Sequence, residues 1–281
     1  MNRYAIKPLL KKAAITLGKI LFASAFWLFI WFLVSSRIGI DLIFPSPEAV
    51  FRELGLLVTN QSESLTRYGV EYNFWLITLL SLLRVVWGVL ISIILGTLLA
   101  YLTSVSRLLS TLVTPALSAI KATPVASFII LAMLWFEKTD LPVFITALIV
   151  IPIVWANVSE GIKAVDPQLR EVARIYRFSL FKRLFRLYVP SVAPYFLAAC
   201  QSSLGMAWKA GVAAEILAVP EIAIGSEIFY SKQYMIPETL FAWTLIVIVL
   251  SLIIEKLFVL ALKQIGKRLR LMPKGGNHAE A

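Results

Sequence analysis

Hydrophobic residues in this chain seldom alternate with polar ones; they run on for lengths that match the thickness of a bilayer. A hydrocarbon core about 30 Å thick needs roughly 20 apolar helical residues. Six segments meet that requirement, at about 18–36, 80–103, 111–135, 141–158, 188–212 and 239–261. The run from Phe74 to Leu102 exceeds what one perpendicular helix needs, so its first part, including Trp75, is expected to tilt or to lie in the interface. Trp27, Trp31, Trp75, Trp87, Trp135, Trp155 and Trp243 fall mostly near span ends or within that long run, a partial match to an aromatic belt. The pattern predicts an all-α fold, a polytopic membrane helical bundle of about six transmembrane helices.

Composition agrees. Of 281 residues, 59% are hydrophobic and 15% charged, with a mean hydropathy of +0.84, far from a soluble domain. The formal charge of +11 would suit nucleic acid only if a soluble basic face existed. Here the bases sit between apolar runs, so no nucleic-acid partner is expected and the charge reads as topology. Cys200 is the one cysteine and His278 the one histidine, which excludes disulfide frameworks and Cys/His metal sites. Arg3, Lys7, Lys11, Lys12 and Lys19 precede the first run and imitate a signal peptide. The stretch from Ile20 to Ser36 is longer than a usual signal core and reads as a retained span.

Translocating cationic loops is disfavoured, so Lys and Arg mark the inner side. Residues 1–19 hold five bases and no acid; 159–186 hold seven against Glu160, Asp166 and Glu171; 263–281 hold five against Glu280. The intervening loops reverse the balance: 37–75 carry three bases and five acids, and 213–238 carry Lys232 against Glu215, Glu221, Glu227 and Glu238. The expected organisation is a cytoplasmic basic N-terminus (1–19), a transmembrane domain (20–262) with a cytoplasmic loop at about 160–190, and a cytoplasmic basic tail (263–281). In the first outer segment, Ser46, Pro47 and Glu48 make an N-terminal signature for a short surface helix whose Val50, Leu54 and Leu57 share a face.

The inner loop is more than a run of charge. Asp166 before Pro167 can cap a helix, in which Leu169, Val172, Ala173 and Tyr176 recur on one apolar face while Arg170, Arg174 and Arg177 line another. Phe178 and Ser179 break the register. A second amphipathic piece follows, with Lys182, Arg183 and Arg186 on its polar side, and Pro190 opens the next span. An interfacial helix attracted to anionic membrane lipid would account for the bases. A compact, capped elbow carrying a glutamate and a small alanine is also what a soluble cytoplasmic partner could grip.

The stretch "EVARIYRFSLFKRLFRLYVPS" resembles the EAA loop of ABC-importer permeases, whose pattern is E-A-A, three residues, G, nine residues, then I-x-L-P. Glu171 and Ala173 match, Val172 replaces the middle alanine, Leu187 and Val189 replace the later aliphatics, and Pro190 has the expected spacing. Arg177 stands at the glycine position, where glycine would permit a bend that arginine resists. "SLLRVVWGVLISIILGTLLAYLTSVSR", "KATPVASFIILAMLWF" and "SSLGMAWKAGVAAEIL" are similar, in order, to segments of the subgroup importing nitrate, sulfonates, taurine and related compounds. The resemblance covers about Pro45 to Phe258. It implies a type I ABC importer permease fold in a bacterial inner membrane, with both termini cytoplasmic, and a second copy of the chain. It also implies two cytoplasmic ATPase subunits that bind ATP and magnesium, and an extracytoplasmic binding protein delivering a small anionic or zwitterionic solute. The residues it assigns to ATPase coupling are Asp166, Leu169, Arg170, Glu171, Ala173, Arg174 and Arg177.

The chain itself carries no engine. No G-x-x-x-x-G-K-[ST] sequence occurs, and neither does a G-x-S-x-G elbow or an H-E-x-x-H pair, so catalytic residues, metal ligands and a resident cofactor are not expected. Ionised groups within spans are expensive, and the clearest are Arg84, Lys121 and Lys209, with Glu215 just beyond the fifth span. Lys209 can attract an anionic solute, snorkel outward, or pair with an acid of another helix. Gly205 and Gly211 beside it would let a helix approach closely. Pro124, after Lys121 and Thr123, interrupts the third span, and interrupted helices often line pathways. Ser202 and Ser203 can pack helices or offer hydroxyls. The pathway candidates are therefore Lys121, Pro124, Ser202, Ser203 and Lys209. Two other classes compete: an ion-coupled secondary transporter, disfavoured because the halves show no inverted repeat, and a lipid-binding membrane scaffold.

Overall fold

Long apolar runs in a medium without water must satisfy every backbone N–H and C=O internally, and they do so as helices. The computed structural model describes residues 3–67 and 69–268. In chain order these form α1 (Arg3–Ile38), α2 (Pro47–Val58), a 3₁₀ turn (Glu63–Leu65), the antiparallel pair β1 (Thr66–Arg67) and β2 (Val70–Glu71), α3 (Phe74–Val105), α4 (Arg107–Ala122), α5 (Val125–Ala132), α6 (Leu141–Lys163), α7 (Pro167–Ile175), α8 (Leu180–Arg183), a π-turn (Leu184–Tyr188), α9 (Val189–Ala218), α10 (Ile224–Gln233) and α11 (Pro237–Arg268). Residues 269–281, most of the expected basic tail and His278 with it, lie outside the described residues.

Among the described residues four helices are long and apolar enough to cross a membrane: α1 over Leu21–Ile38, α3, α6, and α11 over Pro237–Ala261. α4 and α5 reach that length and apolarity only as a pair, bent by 104° at the break between them. The span expected at 111–135, with its interruption at Pro124, is thus two helices meeting at a sharp break. Its cause is local, since the residue before a proline is pushed out of the helical region, and Thr123 is extended at φ −83°, ψ 135°. The sixth expected span, 188–212, is α9, which has the length but not the apolarity. Thirteen of its 30 residues are buried, among them Ala199, Ser203, Ala207, Ala210 and Ala214, so protein covers much of it and small side chains replace large aliphatic ones. α3 runs unbroken from Phe74 to Val105, 32 residues, a length that suits the tilt expected for this run.

The described chain forms two packing units, one of Met1–Phe74 with Tyr230–Leu245 and one of Trp75–Phe229 with Ile246–Ala281. In the first, Ser46 caps α2 by accepting the Ala49 N–H at 3.3 Å, and Val50 and Leu57 are buried. Glu53 on the same helix accepts from Ser62 and from Thr239 Oγ1 at 3.0 Å, tying α2 to the start of α11. Trp243 is fully buried and stacks on Phe74 at 5.4 Å, so it belongs to a core rather than to a lipid-facing belt.

In the second unit, Ile129 and Ala132 of α5, Leu141 and Ile145 of α6, and Ala210, Ala214 and Ala218 of α9 form one buried cluster. A β-carbon at Gly211 would lie 2.6 Å from Val85 Cγ2, whereas nothing lies within 4 Å of one at Gly205. Of the two expected contact glycines, only Gly211 is needed for close approach.

Four residues further along α9 lies a buried polar network. Glu215, 1% exposed, pairs with Arg84 of α3 at 3.2 Å. It also accepts from Ser81 Oγ at 2.9 Å and from the Gly225 N–H at 3.2 Å. Ser81 in turn accepts the Ile224 N–H at 2.9 Å, and Arg84 donates to the Ile222 carbonyl at 2.8 Å. Two helices and the start of a third are thus fastened by one carboxylate. A β-carbon at Gly225 would overlap Glu215 Cβ and Ile216 N. Gly225→Ala should therefore destabilise the purified protein by about 1–3 kcal/mol through overpacking. Glu215→Gln should cost about 3 kcal/mol or more by leaving the guanidinium without its counter-charge. Thermal unfolding in detergent measures both, and melting at the wild-type temperature would contradict the packing described.

Candidate functional site

The stretch between α6 and α9 is built from local signals. Asp166 Oδ1 accepts the Gln168 N–H at 2.8 Å, and Pro167 starts α7 behind this cap. The helix ends in a Schellman arrangement, in which the second residue past the cap bonds back across the last turn. The Phe178 N–H donates to the Ala173 carbonyl at 2.9 Å and the Arg177 N–H to the Arg174 carbonyl at 3.1 Å. Arg177 carries the left-handed residue of this motif, at φ +45°. The bend that glycine would have made easy is therefore present with arginine in the glycine's place.

Phe178, the residue after the bend, folds onto a small core of Val165, Ala173 and Leu187, with Tyr188 beside it. α8 and the π-turn then lead without interruption into α9. Of the expected apolar face, only Ala173 is buried. Leu169, Val172 and Tyr176 are 50%, 43% and 73% exposed, because α7 rests on its neighbours through one small residue and leaves the rest of that face open. Glu171 is exposed as well. Arg170, Arg174 and Arg177 do converge, and with Arg183 they line a cavity of about 320 Å³ whose apolar wall is Ala173, Phe178 and Tyr188. Arg170 is held by a 2.7 Å bond to the Val165 carbonyl.

The pathway candidates separate into two places. On α9, Ala198, Ser202, Met206, Lys209 and Leu217 are exposed along one side of the helix, so Ser202 and Lys209 share one open stripe. Lys209 has no carboxylate within salt-bridge distance among the described residues. Ser203 turns inward, buried, donating to the Cys200 carbonyl at 3.2 Å. Lys121 and Pro124 lie at the break between α4 and α5, both exposed, with Lys121 Nζ 5.9 Å from the Trp155 ring centre. The nearest acid on its own helix, Glu215, pairs with Arg84. Two opposite charges in separate apolar runs were the signal for that pair, and sequence reading singled out both without joining them.

An L-residue in the left-handed region costs roughly 1–2 kcal/mol, which glycine avoids. Arg177→Gly should stabilise the elbow, slowing amide exchange over residues 171–183 about fivefold, while Arg177→Ala, which keeps the β-carbon, should not. Hydrogen exchange by mass spectrometry checks this, and equal effects of the two substitutions would contradict the strain.

Residues 88–270 match the family model described as binding-protein-dependent transport system inner membrane component. A bicarbonate transport system permease protein, CmpB, of Synechococcus elongatus is 28% identical over 215 residues, covering 74% of this chain and 76% of the relative. A nitrate import permease protein, NrtB, of the same species is 28% identical over 153 residues, covering 53% of this chain and 54% of that protein. Among solved structures, an amino acid ABC transporter crystallised with histidines superposes with a TM-score of 0.50 at 16% identity, over 84% of this chain and 98% of that one; the likeness is one of fold. With the apolar helices, the bent pair and the family match taken together, the chain is a multi-pass membrane protein that belongs to the family of binding-protein-dependent transport system inner membrane components, the permease subunits of ABC importers.

Proposed function

We propose that this protein is the permease subunit of an ATP-driven importer for a small anion, with two copies of the chain forming the pathway and an external binding protein delivering the solute. Two cytoplasmic ATPase subunits, which bind ATP and magnesium, grip the elbow at residues 166–178. The observation that carries this reading is the elbow itself: a capped, register-broken helix whose Leu169, Val172 and Tyr176 are left open at a point where the chain passes directly into α9. Such a surface suits a partner, and a continuous helix suits the transfer of its motion. Closure of the ATPases on ATP pushes α7, and α8, the π-turn and α9 carry the displacement into the spans. Both termini face the cytoplasm in this arrangement.

Lys209 supplies the preference for anions. On the open stripe of α9 it offers a charge without a counter-charge, and bicarbonate and nitrate, the solutes named for two relatives, are anions. Unit charges about 4 Å apart attract by about 1 kcal/mol even in water. The resident charge raises the local concentration of a matching solute and leaves the binding protein to choose among anions.

Two outcomes follow. Glu171→Lys should leave membrane insertion intact and reduce copurification of the ATPase about tenfold or more, since a misplaced charge at a docking face is costly; unaltered copurification would remove the elbow from the coupling role. Lys209→Gln should lower uptake of an anionic solute about fivefold and spare a neutral analogue. Equal losses for both would mean that Lys209 serves structure rather than selection.

A further inference from the structure

We propose that the four-arginine cavity of the elbow binds the phosphate of an anionic phospholipid, so that the elbow is seated on the membrane's inner surface as well as on a protein partner. The cavity, about 320 Å³, is lined by Arg170, Arg174, Arg177 and Arg183 together with an apolar wall of Ala173, Phe178 and Tyr188. Among the described residues none of the four has a carboxylate within salt-bridge distance. Four like charges around one space repel one another, and an anion relieves them. Arginine's planar fork matches two phosphate oxygens at once, which selects phosphate over a diffuse negative field. The volume lies at the small end of the roughly 300–1,000 Å³ of ligand sites, suited to a headgroup rather than a nucleotide.

What decides for a lipid is the segment carrying Arg183. α8 and the π-turn place Phe181 and Phe185 one helical turn apart, stacked at 6.1 Å, and 76% and 59% exposed. Arg183, two positions from each, points to the other side of that helix. Lys182 and Arg183 lie over the rings of Phe178 and Tyr188, at 4.3 and 5.6 Å. Phe181 precedes the start of α9 by eight residues, about 12 Å along a helix. An aromatic face and a basic face therefore meet just before a long helix of the bundle, the pattern of a segment lying in the interface with its rings at the acyl boundary and its cations at the headgroups. A free anion would have no use for the exposed rings. An acidic patch on a protein partner would have no need of a concave phosphate-sized space.

The test uses the full chain in nanodiscs of phosphatidylcholine containing phosphatidylglycerol, with bound lipid counted by native mass spectrometry. A juxtamembrane base at the surface contributes about fivefold to the preference for anionic lipid, and one that binds the phosphate directly contributes more. Arg183→Gln, outside the stretch the ATPases grip, should then lower retention of phosphatidylglycerol relative to phosphatidylcholine by about tenfold or more. Arg186→Gln, which removes a charge from the same segment without lining the cavity, should lower it by no more than about fivefold, and Phe181→Ser should lower it on its own. Equal effects of the Arg186 and Arg183 substitutions would reduce the site to general surface charge and overturn the proposal. So would displacement of the lipid by inorganic phosphate at equal concentration, which would mark a free-anion site. If the Arg183 variant keeps its lipid but loses its ATPase, the arginines belong to the protein interface and the proposal also fails. Loss of lipid with the ATPase retained would support it without touching the coupling role of Glu171.

Discussion

A carboxylate with almost no access to water, held by a guanidinium, a hydroxyl and a backbone N–H, is the constraint on which the rest of the second packing unit depends. Glu215 cannot move without stranding Arg84 and releasing Ser81 and Gly225. Such a pair contributes little net stability over a well-packed apolar substitute, but removing one member is costly. Its effect is therefore geometric: it fixes where α9 ends relative to α3 and where α10 begins. The turn between them is itself strained. Val219 is at φ +51°, an uncommon conformation for a β-branched residue, and it is kept there by bonds on both sides. The Val219 N–H donates to the Glu215 carbonyl at 2.9 Å, and Ser226 Oγ donates to the Pro220 carbonyl.

That anchor makes α9 a lever with one end tied. The helix runs from Val189 to Ala218, 30 residues, about 45 Å at 1.5 Å per residue. The π-turn and α8 extend it into the elbow without a gap. Leu187 at the elbow core, Lys209 on the open stripe and Glu215 in the network stand on this one continuous path. In the proposed reading, force applied at α7 reaches the stripe through a helix already held at its far end. It therefore changes the helix's angle rather than its position. The π-turn is the natural place for the give, since such turns break the regular ladder of helical bonds.

Much of this was legible in the chain. Helix positions followed from apolar run length, because the bilayer sets that length and leaves few alternatives. Both N-caps, at Ser46 and Asp166, carried the oxygen-bearing side chain and proline that the geometry later used. What failed did so for a common reason, that sequence periodicity says which residues share a face but not what covers it. Leu169, Val172 and Tyr176 share a face that the described residues leave largely open. Trp243 sits near a span end yet is enclosed by protein. α9 was placed as one apolar span among six, whereas it is an inner helix whose alanines and serines record contact with other helices. The sharp break at Pro124 was foreseen as an interruption, but its angle depends on how α5 then packs on α6 and α9. Arg177 was the instructive departure. The motif position that glycine favours is a statement about φ, and the loop keeps the φ and accepts the strain, so a mismatch of residue was not a mismatch of shape.

The isolation of Lys209 follows from spacing along the same helix. A lysine in an apolar helix usually finds an acid or reaches the interface, and the nearest acid on its own helix is Glu215. Six residues separate the two, about 9 Å along the axis and more than a full turn, so they do not face one another. Glu215 pairs instead with Arg84, drawn from a run 131 positions away in sequence, while Lys209 stands on the stripe beside Ser202 with no carboxylate in reach among the described residues. In the proposed importer one helix thus carries two charges with separate tasks: Glu215 holds its end and Lys209 draws the solute, and Arg84 bears on the first of these alone.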